Sequence, residues 1–392
     1  MSHLAILIPG IDRIGGAERQ ALLIAKELAR RDWRVTVIAL SGSGGETGAD
    51  LRQNGIDFFS LGMRKGILDP RGWFRLLRWL RASKPDVLHA HLPHATWLAR
   101  WSRVVTSVRV QVDTLHSSST GPSIRQIAYR LSRRIPDCVT AVSKAVAQSH
   151  AKAKLVIEDR LVILPNAIDT ERWKPDATFR VEMRKRLGIT QEFLWLALGR
   201  LERVKDYPTL LKAFALSAGS AHLAIAGAGT LDGPLRRLCD QLGLNARVHF
   251  LGFVPDPLRW MQASDGFVLT SLWEGLPMGL MEAAACALPT IATDVPGSGE
   301  VVAHGQTGLL TAPDDVEALA SAINHLMDMP AIERRSLGDR AREKIVERYR
   351  LQVVIEQWQA LYLRLLDQNP TSLHYGSRTR RYPDKGGSES IG

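Results

Sequence analysis

One segment of the sequence, residues 263–301, constrains the fold more than any other. Short apolar runs at 266–270 and 289–293 each have the length of a buried parallel strand. Residues 278–287 between them have the Ala, Leu and Met content of a helix. Strand, turn-rich loop, helix and strand form the repeating unit of an open α/β sheet, in which ligands bind at the carboxyl ends of the strands. The segment therefore predicts an α/β sheet with a ligand site beside this helix.

Two carboxylates flank the start of the predicted helix, with Glu274 in the preceding loop and Glu282 about one turn inside. The helix N-terminus offers free N–H groups and a positive dipole end to phosphate. Met278 and Gly279 are the candidate donors, because Pro277 has no N–H. Each carboxylate alone has a structural alternative, since Glu282 could be an N-terminal helix charge and Glu274 a solvated loop residue. As a pair that brackets one turn, they favour a functional site.

The sequence of this turn, E-G-L-P-M-G-L-M-E-A from Glu274 onward, resembles the E-x7-E signature of the retaining glycosyltransferases of family four. Members of this family have the GT-B fold, in which two Rossmann-like α/β domains face each other across a cleft. The resemblance covers nearly the whole chain. It implies an N-terminal acceptor-binding domain (1–168), a linker (169–191), a C-terminal nucleotide-sugar-binding domain (192–349), a helix crossing back to the N-terminal domain (350–368) and a tail expected to be disordered (369–392).

The length of 392 residues favours two domains, and the composition is that of a soluble globular protein. An odd number of cysteines without metal-binding spacing indicates buried thiols in a reducing cytosol. These cysteines are Cys138, Cys239 and Cys286. No apolar run approaches the roughly 18 residues needed to span a membrane, and the N-terminus lacks the basic flank of a signal peptide. We therefore expect a cytoplasmic protein.

The chain opens with a predicted strand at 4–9, a Gly-Gly loop and a helix through Arg30. Glycine allows the backbone to approach a diphosphate closely, although two glycines can also simply serve a tight turn. In the family, the corresponding G-G-A-E segment faces the donor diphosphate, and Gly15 and Gly16 match it. The Gly/Ser-rich segment at 41–48 is instead expected to be a flexible surface loop, because no helix is predicted after it.

Histidines follow two of the predicted strands. His89, His91 and His94 have an i, i+2, i+5 spacing at a strand end without a nearby Cys or carboxylate set, which is unlike a zinc site, so no metal is predicted. His116 follows the strand at 108–115, at the sheet edge where the cleft should lie. A lone histidine is more often structural than catalytic. Family members carry here a histidine that contacts the transferred sugar, and the resemblance implies this role for His116.

Two cations, Arg200 and Lys205, lie in the loop after the strand at 193–198. Such a pair suits a diphosphate, because arginine can bridge two oxygens and lysine adds a point charge. The alternative is two solvated loop cations. The pattern G-R-L-x-x-x-K-D around them matches the family closely, and this match favours the diphosphate interpretation.

The strand at 222–226 runs into G-A-G-T-L-D-G, which resembles a dinucleotide fingerprint. Its glycine spacing is broken, however, and no acidic residue for a ribose follows the next strand. The family resemblance instead makes Gly227 part of the cleft wall near the nucleoside. It implies that the backbone of Phe253 and Val254 contacts the base.

Together the motifs predict a metal-independent retaining glycosyltransferase. The expected donor is a nucleotide-diphosphate sugar, a UDP-sugar first and GDP-mannose second. The expected acceptor is a glycan or a polyprenyl-diphosphate-linked glycan of cell-surface polysaccharide or glycolipid synthesis. By resemblance, Glu282 binds the ribose hydroxyls and Glu274 binds a hydroxyl of the donor sugar. Neither is placed like the nucleophile of a retaining glycosidase pair. The predicted catalytic residues are His116, Arg200, Lys205 and Glu274, with no cofactor, and with no metal because the chain lacks Asp-x-Asp.

Two other functions fit the same fold. A sugar-nucleotide epimerase would need no acceptor, and a regulatory module would bind nucleotide without catalysis. The intact set of candidate residues argues against the module. Nucleic-acid binding could explain the basic charge, but no recognition motif accompanies it, so no nucleic-acid partner is predicted.

The net charge of +11 is concentrated in the first domain, where residues 64–134 hold 14 Lys/Arg against three Asp/Glu. Residues 71–81 (R-G-W-F-R-L-L-R-W-L-R) form a predicted basic amphipathic helix, which suits an acidic membrane surface. The alternative is that its apolar side packs on the sheet and its arginines are merely solvated. Family members of this size commonly extend lipid-linked acceptors. We therefore expect salt-sensitive, peripheral attachment to the inner face of the cytoplasmic membrane, with Trp79 and the nearby arginines at the surface.

Overall fold

The first half of the chain forms a parallel sheet in the computed structural model, which describes residues 1–12, 14–64 and 69–369. Its strands within these residues are β1 (His3–Gly10), β2 (Arg34–Ser41), β3 (Asp57–Ser60), β4 (Val87–His91), β5 (Val110–Leu115), β6 (Cys138–Ala141) and β7 (Leu161–Ile163). The helices between them are α1 (Gly16–Ala29), α2 (Gly45–Gln53), α3 (Pro70–Ser83), α4 (Pro93–Val104), α5 (Ser123–Ser132) and α6 (Lys144–Lys152). The spatial order is β3-β2-β1-β4-β5-β6-β7, so the winding reverses between β1 and β4.

The second half repeats this architecture. Its strands are β8 (Leu194–Leu198), β9 (His222–Ala226), β10 (Val248–Gly252), β11 (Gly266–Leu269), β12 (Thr290–Thr293) and β13 (Leu309–Thr311), in the spatial order β10-β9-β8-β11-β12-β13. A short helix, α7 (Arg180–Lys185), lies in the predicted linker. The remaining helices are α8 (Tyr207–Leu216), α9 (Asp232–Gln241), α10 (Leu258–Ala263), α11 (Met278–Ala285), α12 (Pro296–Val301), α13 (Val316–Asp328), α14 (Ala331–Tyr349) and α15 (Leu351–Gln368). Two Rossmann-like domains confirm the predicted fold class.

Helices cover both faces of the first sheet, as parallel strands require. Successive side chains of β1 point to opposite faces, so Ile6 packs with α1 and α15 whereas Leu7 packs with α3 and α4. Helices α3, α4 and α5 follow one another on one face, because α4 contacts both α3 and α5. The outward sides of these three helices therefore belong to the same surface of the first domain.

The chain crosses between the domains twice, at the same point. The N–H of Leu351 donates to Ile168 O at 2.9 Å, and the N–H of Ile168 donates to Tyr349 O at 2.8 Å. After the second crossing, α15 packs on the first domain, where the Tyr362 hydroxyl lies 2.7 Å from His89 Nδ1. The predicted return of the last helix is thus observed. Residues 370–392 of the predicted tail lie outside the described residues.

The segment at 41–48 differs from its prediction, because α2 begins at Gly45, inside the segment, with Gly44 as its N-cap. The N-cap residue is Gly44, which has no capping side chain, so the sequence carries no signal for the start of this helix. The Asp12 carboxylate fixes the loop by accepting hydrogen bonds from the N–H groups of Ser43 (2.9 Å) and Gly44 (3.1 Å). The loop is therefore held by a carboxylate of the protein itself.

The environment of Trp79 also differs from its prediction. Its ring is half-buried. The ring centre lies 5.8 Å from that of His3, in an edge-on arrangement, and 5.3 Å from that of Phe59, whose ring is tilted against it. Both partners belong to the sheet, so the apolar side of α3 covers the core, and Trp79 is only partly exposed at the surface. Arg71, Arg75 and Arg78 on the other side are exposed as expected.

Two smaller expectations concern cysteines and membrane spans. Cys138, Cys239 and Cys286 are buried and unbridged, as predicted. Across the described ranges, no helix combines the length and apolarity that a membrane crossing needs.

Candidate functional site

Lys205 and Glu274 meet at the carboxyl ends of β8 and β11. Lys205 Nζ lies 2.5 Å from Glu274 Oε1, and the Ser271 hydroxyl donates to the same oxygen at 2.7 Å. Both charged side chains are largely shielded, with 19% and 14% of their surface exposed. Shielding from water strengthens the pair and fixes the carboxylate in one orientation. Ser271 is a residue that the sequence analysis missed, although it lies only three positions before Glu274.

Arg200 has a different environment from Lys205. Its side chain is exposed and makes no hydrogen bond or ion pair with the part of the chain that the structure describes. It lies after β8, at the same sheet edge as Lys205. An exposed guanidinium at this edge is available to an anionic ligand.

A close backbone contact explains one glycine of this edge. A Cβ on Gly227 would lie 1.8 Å from Gly199 O, so the ends of β8 and β9 can approach this closely only with glycine. The Tyr207 hydroxyl donates to the same carbonyl at 3.1 Å. Gly227 thus has a packing role at the predicted cleft wall, and its contact with a nucleoside stays a prediction.

Glu282 lies on the first turns of α11 and is only 4% exposed. Burial raises the pKa of Glu282 to about 7, and the positive charges of Arg19 and Arg172 only partly oppose this shift. Arg19 Nη1 lies 4.0 Å from Glu282 Oε1 and reaches it from the first domain. A buried carboxyl group near neutrality can accept hydrogen bonds from a neutral polar ligand, at a strength that depends on pH.

The other predicted donor-binding residues come from α11, from the start of α1 and from the end of β10. Met278 begins the helix, and a Cβ on Gly16 would lie 3.2 Å from Met278 Cγ, so the two domains touch here. Gly15 caps α1 and donates its N–H to Glu18 Oε2 at 3.1 Å. Phe253 follows β10 with 72% of its surface exposed, so its ring is accessible to a ligand.

The two domains also meet between Glu274 and His116. The Ser118 hydroxyl donates to Glu274 O at 3.0 Å. A Cβ on Gly275 would lie 2.1 Å from His116 O, closer than any real contact. The loop of the second domain therefore rests directly on the loop that follows β5, and this brings His116 next to the loop that carries Glu274.

His116 is oriented by a second histidine that the sequence analysis set aside. His91 Nδ1 lies 3.0 Å from His116 Nε2, and the His91 side chain is fully buried at the end of β4. Burial lowers the pKa of His116 to about 4 and keeps the pKa of His91 well below its usual value, so both rings are neutral near pH 7. The adjacency of β4 and β5, which only the sheet order reveals, brings these residues together.

The family resemblance assigns His116 to the transferred sugar. On that assignment we expect His91→Leu to lower kcat about tenfold, because His116 loses the hydrogen bond that fixes its ring. His91→Asn should restore most of the rate, since its amide can take the place of Nδ1. Steady-state kinetics and thermal unfolding of both variants test this role. Equal kcat for wild type and His91→Leu would show that His91 does not position His116.

A cavity of about 220 Å³ opens beside His116 within the first domain. Its lining combines hydroxyl groups with apolar side chains and one cation, Arg125. The members that matter below are His116, Ser117, Thr120, Arg125 and Tyr129. The cavity is smaller than a typical ligand pocket of roughly 300–1,000 Å³, but its mixed polarity suits one part of a small molecule.

The chain has two parallel-sheet domains, and the second carries cations and carboxylates where it meets the first. This is the GT-B architecture of nucleotide-sugar-dependent transferases. Two family models match the chain: "Glycosyltransferase Family 4" over residues 14–172 and "Glycosyl transferases group 1" over residues 179–344. The chain therefore belongs to the group 1 glycosyltransferases of family four and is a glycosyltransferase that uses nucleotide sugars.

Two relatives that match the chain over about three quarters of their length support this assignment. The chain is 30% identical over 294 residues to the N-acetyl-alpha-D-glucosaminyl L-malate synthase of Bacillus anthracis, covering 72% of this chain and 75% of that one. It is 31% identical over 307 residues to a GDP-mannose-dependent alpha-(1-6)-phosphatidylinositol monomannoside mannosyltransferase of Mycobacterium tuberculosis, covering 74% of each chain. Anabaena HepE in complex with UDP-glucose has the same fold, with a TM-score of 0.83 at 23% identity, covering 93% of this chain and 100% of that one.

Proposed function

We propose that the protein is a retaining glycosyltransferase that moves a sugar from a nucleotide-diphosphate sugar to a glycan or a lipid-linked glycan. A UDP-sugar is the first candidate donor and GDP-mannose the second. The observation that carries the proposal is the shielded Lys205–Glu274 pair. Glu274 lies in the loop that leads into α11, and this loop rests on the loop of the first domain that carries His116. This arrangement offers positive charge for a leaving diphosphate and hydrogen-bonding groups for a sugar.

In this proposal Arg200, Lys205 and the first-turn N–H groups of α11 stabilise negative charge on the leaving diphosphate. Such donors are typically worth roughly 3–4 kcal/mol each. The Met278 and Gly279 N–H groups are the candidates on α11, which has no N-cap side chain to compete for them. Glu274, held by Lys205 and Ser271, binds a hydroxyl of the donor sugar.

The nucleoside part of the donor has its own partners. Glu282 accepts hydrogen bonds from the ribose hydroxyls, and the base lies against the exposed Phe253 and the backbone of Val254. The loop around Gly15 and Gly16 faces the diphosphate from the first domain. These assignments rest on the family motifs and on the exposure of Phe253.

The transfer step conserves the anomeric configuration through front-face attack. The bond between the anomeric carbon and the diphosphate oxygen breaks, and the acceptor hydroxyl forms the new bond on the same face. Its proton passes to the departing phosphate oxygen. Glu274 is unsuited to act as a nucleophile, because its carboxylate is already paired with Lys205 and Ser271.

We propose that no metal ion or organic cofactor takes part. The chain lacks Asp-x-Asp, and Arg200 and Lys205 supply the positive charge that a metal would otherwise bring. In the described ranges, no three side chains of His, Cys, Asp or Glu are grouped as a metal would need.

A panel of UDP-, GDP- and ADP-sugars, with and without EDTA, tests donor use and metal independence together. We expect slow release of nucleotide and thermal stabilisation with one class of donor, unchanged by EDTA. Loss of the rate in EDTA and its recovery with manganese would contradict metal independence. A new sugar nucleotide without released nucleotide would identify an epimerase instead.

The relatives suggest both donors and a lipid-linked acceptor. The Anabaena structure contains UDP-glucose, whereas the mycobacterial enzyme is named for GDP-mannose and a phosphatidylinositol mannoside. A lipid anchor on the acceptor would require the first domain to work at a membrane surface.

We expect the affinity for a nucleotide sugar to depend on Glu282 and on pH. The carboxylate form can accept from both ribose hydroxyls, so affinity should be highest above the Glu282 pKa of about 7 and fall as pH drops through it. A nucleotide sugar is the right ligand, because its diphosphate has no ionisation of its own in this range. Arg19, Arg172 and Asp256 are the charged groups that act on Glu282.

Calorimetric titrations between pH 6 and 8, on wild type and Glu282→Gln, measure this effect. Glu282→Gln should bind on the order of tenfold more weakly above pH 7 and show little dependence on pH. Parallel pH profiles for the two proteins would rule out Glu282 as the ribose ligand.

A further inference from the structure

Helix α5 exposes its apolar side chains to solvent. Ile124, Ile127 and Leu131 are 78%, 53% and 76% exposed, and their i, i+3, i+7 spacing places them in one stripe. The opposite face of the helix buries Tyr129 and Ser132. A surface helix normally buries its apolar side and exposes its polar side, so this exposed apolar stripe indicates a binding surface.

The inward face of α5 is fixed by polar contacts rather than by its isoleucines. Arg100 of α4 is buried, and its Nη1 donates to Ser132 Oγ at 3.0 Å. The same guanidinium lies 4.7 Å from the centre of the Tyr129 ring. Asp113 Oδ2 lies 2.7 Å from Arg100 Nε and neutralises its charge. These contacts fix the rotation of α5 and leave its apolar stripe outside.

The charge around the stripe is mainly positive, although Glu158 and Asp159 are exposed near Arg133 at the end of α5. Arg130 and Arg134 are exposed near it, and Arg125 is half-exposed. Helix α3 adds Arg71, Arg75 and Arg78 on the same face of the sheet. Of the three acidic residues between 64 and 134, Asp113 is buried against Arg100. An apolar stripe surrounded by arginines is complementary to an acidic lipid surface.

The inward side of the same helix borders the candidate site. Arg125 and Tyr129 line the cavity that also contains His116. A molecule anchored in lipid beside the stripe would therefore find the opening to His116 within one helix diameter, about 10 Å. The surface and the site are thus joined by one element.

We propose that α5 lies on an acidic lipid bilayer, with Ile124, Ile127 and Leu131 in the interfacial layer and the neighbouring arginines at the headgroups. The first domain then presents the cavity beside His116 to a lipid-linked acceptor. This second statement rests on the proposed function, whereas the docking of α5 does not. The contact places the membrane at α5 rather than at Trp79 of α3.

Vesicle flotation of the full chain tests the proposal. Wild type should float with vesicles rich in phosphatidylglycerol at low salt, and less at high salt or with phosphatidylcholine alone. The combined variant Ile124→Ser, Ile127→Ser, Leu131→Ser should bind at least about tenfold more weakly. The matched control is Val181→Ser, Leu216→Ser, Ile332→Ser in the linker and second domain, whose residues are 80%, 58% and 79% exposed, and it should float like wild type.

Each outcome decides the matter. Flotation of the α5 variant at the wild-type level, or no flotation of wild type with acidic vesicles, would overturn the proposal. A wild-type dimer in solution that the α5 variant abolishes would assign the stripe to a second copy and would equally overturn it. Nucleotide release from the donor in the absence of vesicles should be the same for wild type and both variants, so a failure of the proposed function would appear separately.

Discussion

Replacing Lys205 by alanine is expected to lower kcat by on the order of 100- to 1000-fold, the usual loss when one donor to a developing charge is removed. Lys205 stands beside Glu274 in a shielded position, so its charge acts in a less polar medium than water. Arg200→Ala should have a comparable effect through the same diphosphate. Arg200 is exposed, so its removal should leave stability nearly unchanged. Lys205→Ala leaves the shielded Glu274 carboxylate without its counter-charge, so its stability is measured beside its kcat.

Arg203 provides the matched control for this experiment. It lies on the same one-turn helix as Lys205 and is exposed, so Arg203→Ala removes the same charge from the same loop without touching Glu274. We expect its kcat within about twofold of wild type. Turnover and thermal unfolding measured on all three variants separate catalysis from folding. Activity within a few-fold of wild type for both Lys205→Ala and Arg200→Ala would refute their assignment to the diphosphate.

Adding one methyl group at Gly275 is expected to abolish most of the transfer activity by holding the two domains apart. The new Cβ would lie 2.1 Å from His116 O and 3.3 Å from Ser117 Cα, both in the opposite domain. The loops must therefore separate by about 1 Å or more, and a displacement of this size can cost about 100-fold in rate. Nucleotide binding should persist, because Glu282 and Phe253 belong to the second domain alone.

The control for this variant is Gly299→Ala on the neighbouring helix α12. A Cβ there would meet its nearest atom, Asp294 Oδ1, at an ordinary 3.7 Å. We expect Gly299→Ala to behave like wild type in kcat, whereas Gly275→Ala loses kcat but keeps its affinity for nucleotide in calorimetry. If Gly275→Ala transfers sugar at the wild-type rate, the contact between the two loops is not part of the active arrangement.

Much of the fold could be predicted because its signals are local. The buried strands are short apolar runs, and β9 has the bounds that its sequence indicates. The Glu274–Glu282 element was predictable for the same reason, since strand, loop and helix follow one another within about forty residues. Local pattern and tertiary structure agree in these places.

The contacts that complete the site are long-range and could not be predicted in this way. His91 and His116 meet because β4 and β5 are neighbours in the sheet, and Gly275 reaches His116 from another domain. Helix α5 shows the opposite failure. The sequence analysis assigned no helix to residues 123–132. Ile124 and Leu131 have the spacing of a side that is normally buried, but the contacts of the buried Arg100 hold the other face inward.

The stereochemistry of transfer tests the central claim most directly. With the donor class found in the panel and methanol as a surrogate acceptor, the methyl glycoside traps the configuration at the anomeric carbon before it can equilibrate. Proton NMR then distinguishes the two anomers. The proposed mechanism predicts the same configuration as in the donor, together with released nucleoside diphosphate and a rate that falls in Lys205→Ala. The inverted anomer, or no glycoside from any nucleotide sugar, would contradict it.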